Sequence, residues 1–133
     1  MALLKVKIIT PEKTFFDGES EQIVARTSAG NVGILAGHSP YVANLLPSPL
    51  KIKIDGNFRT AAVSGGVIKV SPAEGVTVIC PAIEWAEDID VARAKRAKEI
   101  ADAKIKENAS KKEFDRAEQK LKRALNRLTV AGK

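Results

Sequence analysis

Apolar and polar positions alternate with a period of two through most of the first 80 residues, then recur every three or four residues to the end of the chain. The first period belongs to strands with one face on a core, the second to helices with one apolar stripe. Leu4-Lys5-Val6-Lys7-Ile8 is the clearest early strand. Residues 22–27 and the glycine-broken 31–35 are two more. Leu50-Lys51-Ile52-Lys53-Ile54 alternates cleanly and meets Asp55-Gly56-Asn57. Asp-Gly favours a tight hairpin turn, so residues 58–63 return as the paired strand. Residues 67–70 and 76–80 follow, separated by Ser71-Pro72-Ala73-Glu74-Gly75. At least seven short strands of this kind predict an antiparallel β-sandwich or flattened barrel.

The change of period coincides with a change of punctuation. All six prolines and eight of the nine glycines lie at or before Pro81, and neither type occurs from Ala82 to Ala131. Proline lacks a backbone donor and glycine is costly inside a helix, so the later segment is free to be continuously helical. A first helix is expected over about residues 89–106, with Glu87 and Asp88 placing negative charge at its start. Asp88 is the expected N-cap and Asp90 the alternative. Ala94, Ala97, Ala101 and Ile105 form a narrow stripe on this helix. Asn108-Ala109-Ser110 interrupts it, and Ser110-Lys111-Lys112-Glu113 has the form of a capping box. The second helix carries Phe114, Ala117, Leu121, Ala124 and Leu128 on one seam, widened by Leu125. A connection this short makes the two helices an antiparallel hairpin.

The expected fold is therefore α+β by content: a β body over residues 1–84 and a two-helix arm over residues 85–133. The arm buries few large side chains, which leaves two readings. It docks permanently on the body, or it is marginal and free to swing or extend. Alanine-rich, charged helices hold their shape alone better than most, which favours the second.

Charge follows the same division. The net charge is +6; the first 83 residues hold 8 Lys/Arg and 6 Asp/Glu, the last 50 hold 14 and 10. A basic arm points to acidic partners: nucleic acid, a nucleotide, a membrane surface or an acidic protein patch. On the second helix Lys112, Arg116, Lys120, Arg123 and Arg127 recur every three or four residues. That stripe is either a solvated face or a docking face for an acidic partner. No aromatic is interleaved with it, which argues against nucleic acid. Cys80 is the single cysteine; it ends an apolar run and reads as a small buried hydrophobe in a chain suited to a reducing compartment. No apolar run approaches the roughly 20 residues needed to span a bilayer.

Catalytic chemistry finds no support in the chain. His38, the only histidine, lies in Gly37-His38-Ser39-Pro40, a turn, with no second histidine or cysteine to share a metal. No nucleophile, base and orienting acid are grouped locally. Ser64-Gly65-Gly66 lacks the Lys-Ser/Thr ending of a phosphate loop and reads as a strand-to-strand turn.

Gly30-Asn31-Val32-Gly33-Ile34-Leu35-Ala36-Gly37-His38-Ser39-Pro40 resembles the G-x-x-G-I-L-x-G-H-x-P block of the epsilon subunit of F-type ATP synthases. Ile9-Thr10-Pro11, Ser64-Gly65-Gly66 and Glu87-Asp88-Ile89-Asp90 stand in order around it, so the resemblance covers essentially the whole chain. It implies a ten-stranded β-sandwich at the foot of the rotary central stalk, bound to the gamma subunit and resting on the rotor ring of c subunits. Asn31 and His38 would face that ring, with Asn31 standing where several bacterial members have Glu. The arm would be regulatory: folded, it permits ATP hydrolysis; extended along gamma into the alpha/beta catalytic head, it blocks rotation. Arg116, Lys120, Arg123 and Arg127 would then be the basic face for the beta subunit.

Ile89-Asp90-Val91-Ala92-Arg93-Ala94 also resembles the I/L-D-x-x-R-A motif with which some bacterial members bind one ATP. Carried over by position, the ATP-binding residues are Glu84, Ile89, Asp90, Arg93, Ala94, Arg123 and Arg127. Ile100 falls where tight-binding members place an arginine, with Lys104 and Arg96 available to compensate. The alternative for Asp90 and Arg93 is a plain ion pair at the helix start. ATP would be a regulatory ligand, with no obligatory cofactor and no metal. The function implied is that of a non-catalytic rotor subunit coupling ion transport to ATP synthesis, peripheral on the cytoplasmic face of a bacterial cell membrane and reaching it only through the complex. A free-standing ATP-sensing module is the alternative; retention of a gamma partner separates the two. A basic nucleic-acid adaptor would instead bind RNA or DNA in a salt-sensitive way.

Overall fold

The computed structural model of the chain describes residues 2–107 and 110–132. Its contacts divide it into a unit ending at Trp85 and another beginning at Ala86. The expected interruption at Asn108-Ala109 lies outside the described residues.

The first unit holds ten strands: β1 (Leu4–Ile9), β2 (Thr14–Ser20), β3 (Gln22–Thr27), β4 (Gly30–Ile34), β5 (Tyr41–Leu45), β6 (Ser48–Ile54), β7 (Asn57–Val63), β8 (Gly66–Ser71), β9 (Gly75–Ile79) and β10 (Ile83–Trp85). They follow the order β10-β7-β6-β3-β5-β8-β9-β1-β2, with β4 on β3. β3 and β5 meet at one residue pair, Thr27 with Leu45. That narrow bridge separates two five-stranded halves, which makes the arrangement a sandwich joined along one seam. The buried face of each half comes from the alternation in the sequence. Leu4, Val6 and Ile8 of β1, Leu50 and Ile52 of β6, Ile68 and Val70 of β8, and Val76 and Val78 of β9 all enter one core. Lys5, Lys7, Lys51 and Lys69 point outward from the same strands.

Pairing is antiparallel with one exception. β1 runs parallel to β9, Val6 beside Val76 and Ile8 beside Val78. The antiparallel sandwich expected from the sequence is present, and the one parallel pair arises because the chain's first strand is brought in between β2 and β9. Asp55 and Gly56 form the two-residue turn of the β6–β7 hairpin, with φ of 50° and 80°, the left-handed pair a tight hairpin needs. Three strands were illegible from alternation. β2 is interrupted by Asp17-Gly18, β5 opens beside Pro40, and β10 is only three residues long.

Ser64-Gly65-Gly66 is indeed a strand-to-strand turn, and it is tight. Gly66 has φ +128°, and a Cβ placed there would run into the Ile79 carbonyl and Cys80 of the neighbouring strand. Cys80 itself is buried, its thiol near the Ile9 carbonyl. Burial raises its pKa from 9.0 to about 11, which suits an inert core residue.

Two outcomes follow for the body. Gly66→Ala should lower its stability by ~1–3 kcal/mol, seen as a fall in Tm. The Cys80 thiol should resist a disulfide reagent at mildly alkaline pH while the chain is folded, and react on unfolding in guanidinium. Its raised pKa favours the fold below the ordinary thiol value of 9.0, and that contribution disappears between about pH 9 and about pH 11.

Candidate functional site

The second unit opens with a 3-10 turn, Ala86–Asp88, followed by α1 (Val91–Lys106) and α2 (Lys111–Ala131). Asp90, not Asp88, caps α1: its carboxylate accepts a hydrogen bond from the Arg93 backbone N–H at 3.0 Å. Asp88 is held in the preceding 3-10 turn, so the alternative N-cap is the one realised. Ser110 caps α2, its hydroxyl accepting from the Glu113 N–H at 3.3 Å. Gly132 ends it in the left-handed conformation, with φ of 78°.

The seam between the helices is built mainly of small residues. Ala94 and Ala101 are the buried residues of α1; Ala117, Ala124, Asn126 and Leu128 are those of α2. The large seam residues are less enclosed. Leu121 is half-buried and Phe114 remains 38% exposed. Leu125, expected to widen the seam, is 41% exposed. A cleft of about 500 Å³ opens in the hairpin, with Ala97, Ala101 and Ala117 in its lining. That volume lies within the range of small-molecule sites.

The cleft has two kinds of wall. Ala97, Ile100 and Ala101 of α1 and Ala117 of α2 supply apolar surface. Arg116, Lys120, Arg123 and Arg127 of α2 line it with cations, joined by Lys104 from α1 and opposed by one carboxylate, Glu113. Five cations against one anion suit the cleft to an anionic ligand that also has an apolar part. Four of the five residues of the basic stripe border this cleft, and Lys112 does not; all but Arg127 are exposed. Four residues apart on α2, side chains share a flank, and that flank is turned along α1.

The residues singled out from the sequence fall in three places. Arg123 and Arg127 line the cleft, as do Arg116 and Lys120. Asp90 and Arg93 are exposed at the N-terminal end of α1, with Ile89 and Ala94 buried beside them; none of these four is part of the lining. Glu84 is half-buried on β10, paired with Ala62 of β7, and belongs to the body. Of the two substitutes for an arginine at Ile100, Lys104 faces the cleft and Arg96 does not. The sequence offered no sign of Glu113 or of the alanine floor as site residues. Ala97, Ala101 and Ala117 had been legible only as a packing stripe.

The body carries the other predicted contacts. His38 is half-buried, its ring edge-on to Tyr41 at 5.9 Å and its Nδ1 2.7 Å from the Ser39 carbonyl, to which it donates. Asn31 is exposed on β4, its side-chain oxygen accepting from Arg26 Nε at 3.3 Å. Trp85 is packed into the body, 4.7 Å from Phe15 and with the Arg59 guanidinium 3.6 Å over its ring. Among the described residues no helix is long and apolar enough to cross a membrane, and no group of His, Cys, Asp or Glu is arranged to hold a metal ion.

Comparison with known proteins matches both units. Residues 3–86 match the family described as ATP synthase, Delta/Epsilon chain, beta-sandwich domain. Residues 87–132 match ATP synthase, Delta/Epsilon chain, long alpha-helix domain. Among similar curated proteins, the ATP synthase epsilon chain of Ruminococcus albus is 54% identical over 133 residues, covering 100% of this chain and 99% of the relative. The ATP synthase epsilon chains of Caldanaerobacter subterraneus and Bacillus velezensis are each 42% identical, over 129 and 132 residues, covering 96% and 99% of this chain and 93% and 99% of theirs. A chain in the cryo-EM structure of Euglena gracilis mitochondrial ATP synthase (OSCP/F1/c-ring, rotational state 1) shares the fold with a TM-score of 0.85 at 24% identity, over 100% of this chain and 83% of that one. Another, from the central stalk/c-ring of the Tetrahymena thermophila mitochondrial enzyme, has a TM-score of 0.69 at 16% identity, over 96% and 95%.

The cap at Asp90 is separable from any ligand role. Asp90→Ala should weaken α1 by ~1 kcal/mol, read as faster amide exchange in its first turn, whereas Asp90→Ser should keep the cap and remove only the charge.

Proposed function

The chain belongs to the epsilon-chain family of ATP synthases, and we propose that it is a non-catalytic central-stalk subunit whose helical hairpin is a nucleotide-responsive regulator of ATP hydrolysis. In this reading the β-sandwich is the fixed coupling piece. It binds the gamma subunit and rests on the rotor ring of c subunits, with the segment carrying Asn31 and His38 turned to that ring. The complex couples ion transport to ATP synthesis and sits peripherally on the cytoplasmic face of a bacterial cell membrane. Structural neighbours drawn from a central stalk/c-ring assembly and from an OSCP/F1/c-ring assembly support that placement.

The observation that carries the regulatory half is the cleft in the hairpin. A small-residue seam that leaves about 500 Å³ open, beside five cations, is suited to a ligand that is part planar ring and part polyanion. ATP has that form. Arg123 and Arg127 would meet its phosphates, with Arg93 as a third cation, while Asp90 would serve the adenine side beside Ile89 and Ala94; these last four stand at the start of α1, outside the lining of the cleft. A bound ligand holds the two helices together. Without it the hairpin opens and extends toward the alpha/beta head, where Arg116, Lys120, Arg123 and Arg127 would meet acidic surface on the beta subunit.

Two measurements test this reading. ATP hydrolysis by the assembled head should rise at low ATP when the full chain is replaced by one ending at Trp85, which keeps β10 whole. Equal rates would remove the inhibitory arm from the account. Calorimetric titration of the full chain with ATP should show one site, weakened about tenfold by Arg127→Ala, the worth of a lost charge-assisted hydrogen bond. Calorimetry is preferable to tryptophan fluorescence here, because Trp85 is enclosed by Phe15, Phe16 and Arg59 of the body.

A further inference from the structure

Two Asp-Gly pairs occur in the chain, Asp17-Gly18 and Asp55-Gly56. Such a pair can rearrange without any external reagent, because glycine has no side chain to hinder attack by its own backbone nitrogen. The glycine nitrogen bonds to Cγ of the aspartate. The carboxyl hydroxyl leaves as water with the amide proton, and a five-membered succinimide ring remains. Water then adds back at one of the two ring carbonyls. Addition at the side-chain carbonyl restores aspartate. Addition at the main-chain carbonyl gives isoaspartate, whose backbone runs through the former side chain and is one carbon longer. The water lost in the first step is regained in the second.

The two pairs are restrained differently. Asp17-Gly18 lies inside β2 and is paired with β1, Asp17 beside Lys7 and Gly18 beside Val6. Asp55-Gly56 is the exposed turn of the β6–β7 hairpin. The peptide that joins these two residues is held from both sides by side chains. Its N–H, on Gly56, donates to Glu21 Oε1 at 2.9 Å. Its carbonyl, on Asp55, accepts from Asn57 Nδ2 at 3.3 Å. Glu21 is itself fixed to the end of β6, its own N–H donating to the Lys53 carbonyl at 2.9 Å. The buried Ser20 hydroxyl donates to that same carbonyl at 2.9 Å. Cyclisation requires the Gly56 nitrogen to lose its proton and the peptide to turn toward the Asp55 side chain. A carboxylate on that N–H opposes both, by holding the proton and by placing negative charge where more would form. We infer that Asp55 is the chain's principal site of isoaspartate formation, and that Glu21 restrains the rearrangement by keeping the Gly56 N–H engaged. The lengthened backbone of isoaspartate no longer supplies the left-handed pair that a two-residue turn requires, so β6 and β7 lose the link that sets their register. A transient opening of the turn is thereby made permanent.

The test ages the full chain in neutral buffer below its melting temperature. Digestion, chromatography and mass spectrometry then separate the isobaric aspartyl and isoaspartyl peptides, and enzymatic methylation of the isoaspartyl carboxylate counts them independently. In the unaltered chain isoaspartate should accumulate slowly, at Asp55 ahead of Asp17. Glu21→Ala should raise the rate at Asp55 about tenfold, the worth of one hydrogen bond to a charged group, and leave Asp17 unchanged. Glu21→Gln keeps an acceptor and should retain part of the protection. An unchanged rate at Asp55 in Glu21→Ala overturns the inference, as does a slower one, which would make Glu21 a catalytic base. A rise shared equally by Asp17 also overturns it, because that is general loosening of the sandwich. One comparison needs no variant: Asp55 should rearrange faster in guanidinium than in the folded chain, and equal rates would contradict any restraint by the fold.

Discussion

Alanine at positions 94, 101, 117 and 124 sets what holds the helical hairpin together. Alanine buries little apolar surface and leaves the facing helix without a knob to enclose. The usual exchange, in which burial of large side chains offsets the entropy of ordering two helices, is therefore weak in this unit. Leu128 is the one large apolar side chain buried within the described residues of α1 and α2. Two of the four alanines, Ala101 and Ala117, also line the cleft, and the row of cations from Arg116 to Arg127 borders it. Thin packing and the proposed anion site thus share part of one seam. The space that weakens the hairpin is the space in which an anionic ligand would strengthen it.

The body shows the opposite economy. Its core is closed by Ile, Leu and Val side chains from both halves of the sandwich, many with no exposed surface at all. Backbone approaches are fixed by glycine at a few points, such as Gly66 against Ile79 and Gly75 against the Lys5 backbone. Such a structure has one good arrangement and resists deformation. In the function proposed, the β-sandwich would transmit torque and would need that property, and a hairpin that senses a ligand would need the lack of it. The chain supplies the two in sequence, with Trp85 closing the first and Ala86 opening the second.

Much of this was legible in the sequence, for physical reasons that differ from place to place. Strict alternation in residues 4–8 and 50–54 and the Asp55-Gly56 turn could mean little else, because period two and a left-handed turn pair leave few alternatives. β2, β5 and β10 escaped because Gly18, Pro40 and a length of three residues obscure alternation; their pairing is decided by neighbours distant in sequence. The parallel β1–β9 pairing escaped for the same reason. In the arm, the capping serine and the end of α1 could be read locally, but not its start, where Asp90 caps in place of the expected Asp88. The cleft could not. Whether an alanine stripe means close packing or vacant space depends on the separation of two helices, which no single-helix pattern encodes. The basic residues were visible as a stripe, and only the partner helix shows that the stripe borders a cleft. Leu125 is assigned to the seam by spacing alone and is 41% exposed.

The central claim is that ligand in the cleft, more than the hairpin's own core, keeps α1 and α2 together. Amide hydrogen exchange of the full chain with and without ATP tests this most directly. At ATP about a hundredfold above its dissociation constant, exchange in residues 91–106 and 111–131 should slow by about a hundredfold, or ~2.7 kcal/mol, while the strands of the body are unchanged. Identical exchange in the two helices at saturating ATP, or slowing spread evenly over the β-sandwich, would contradict it.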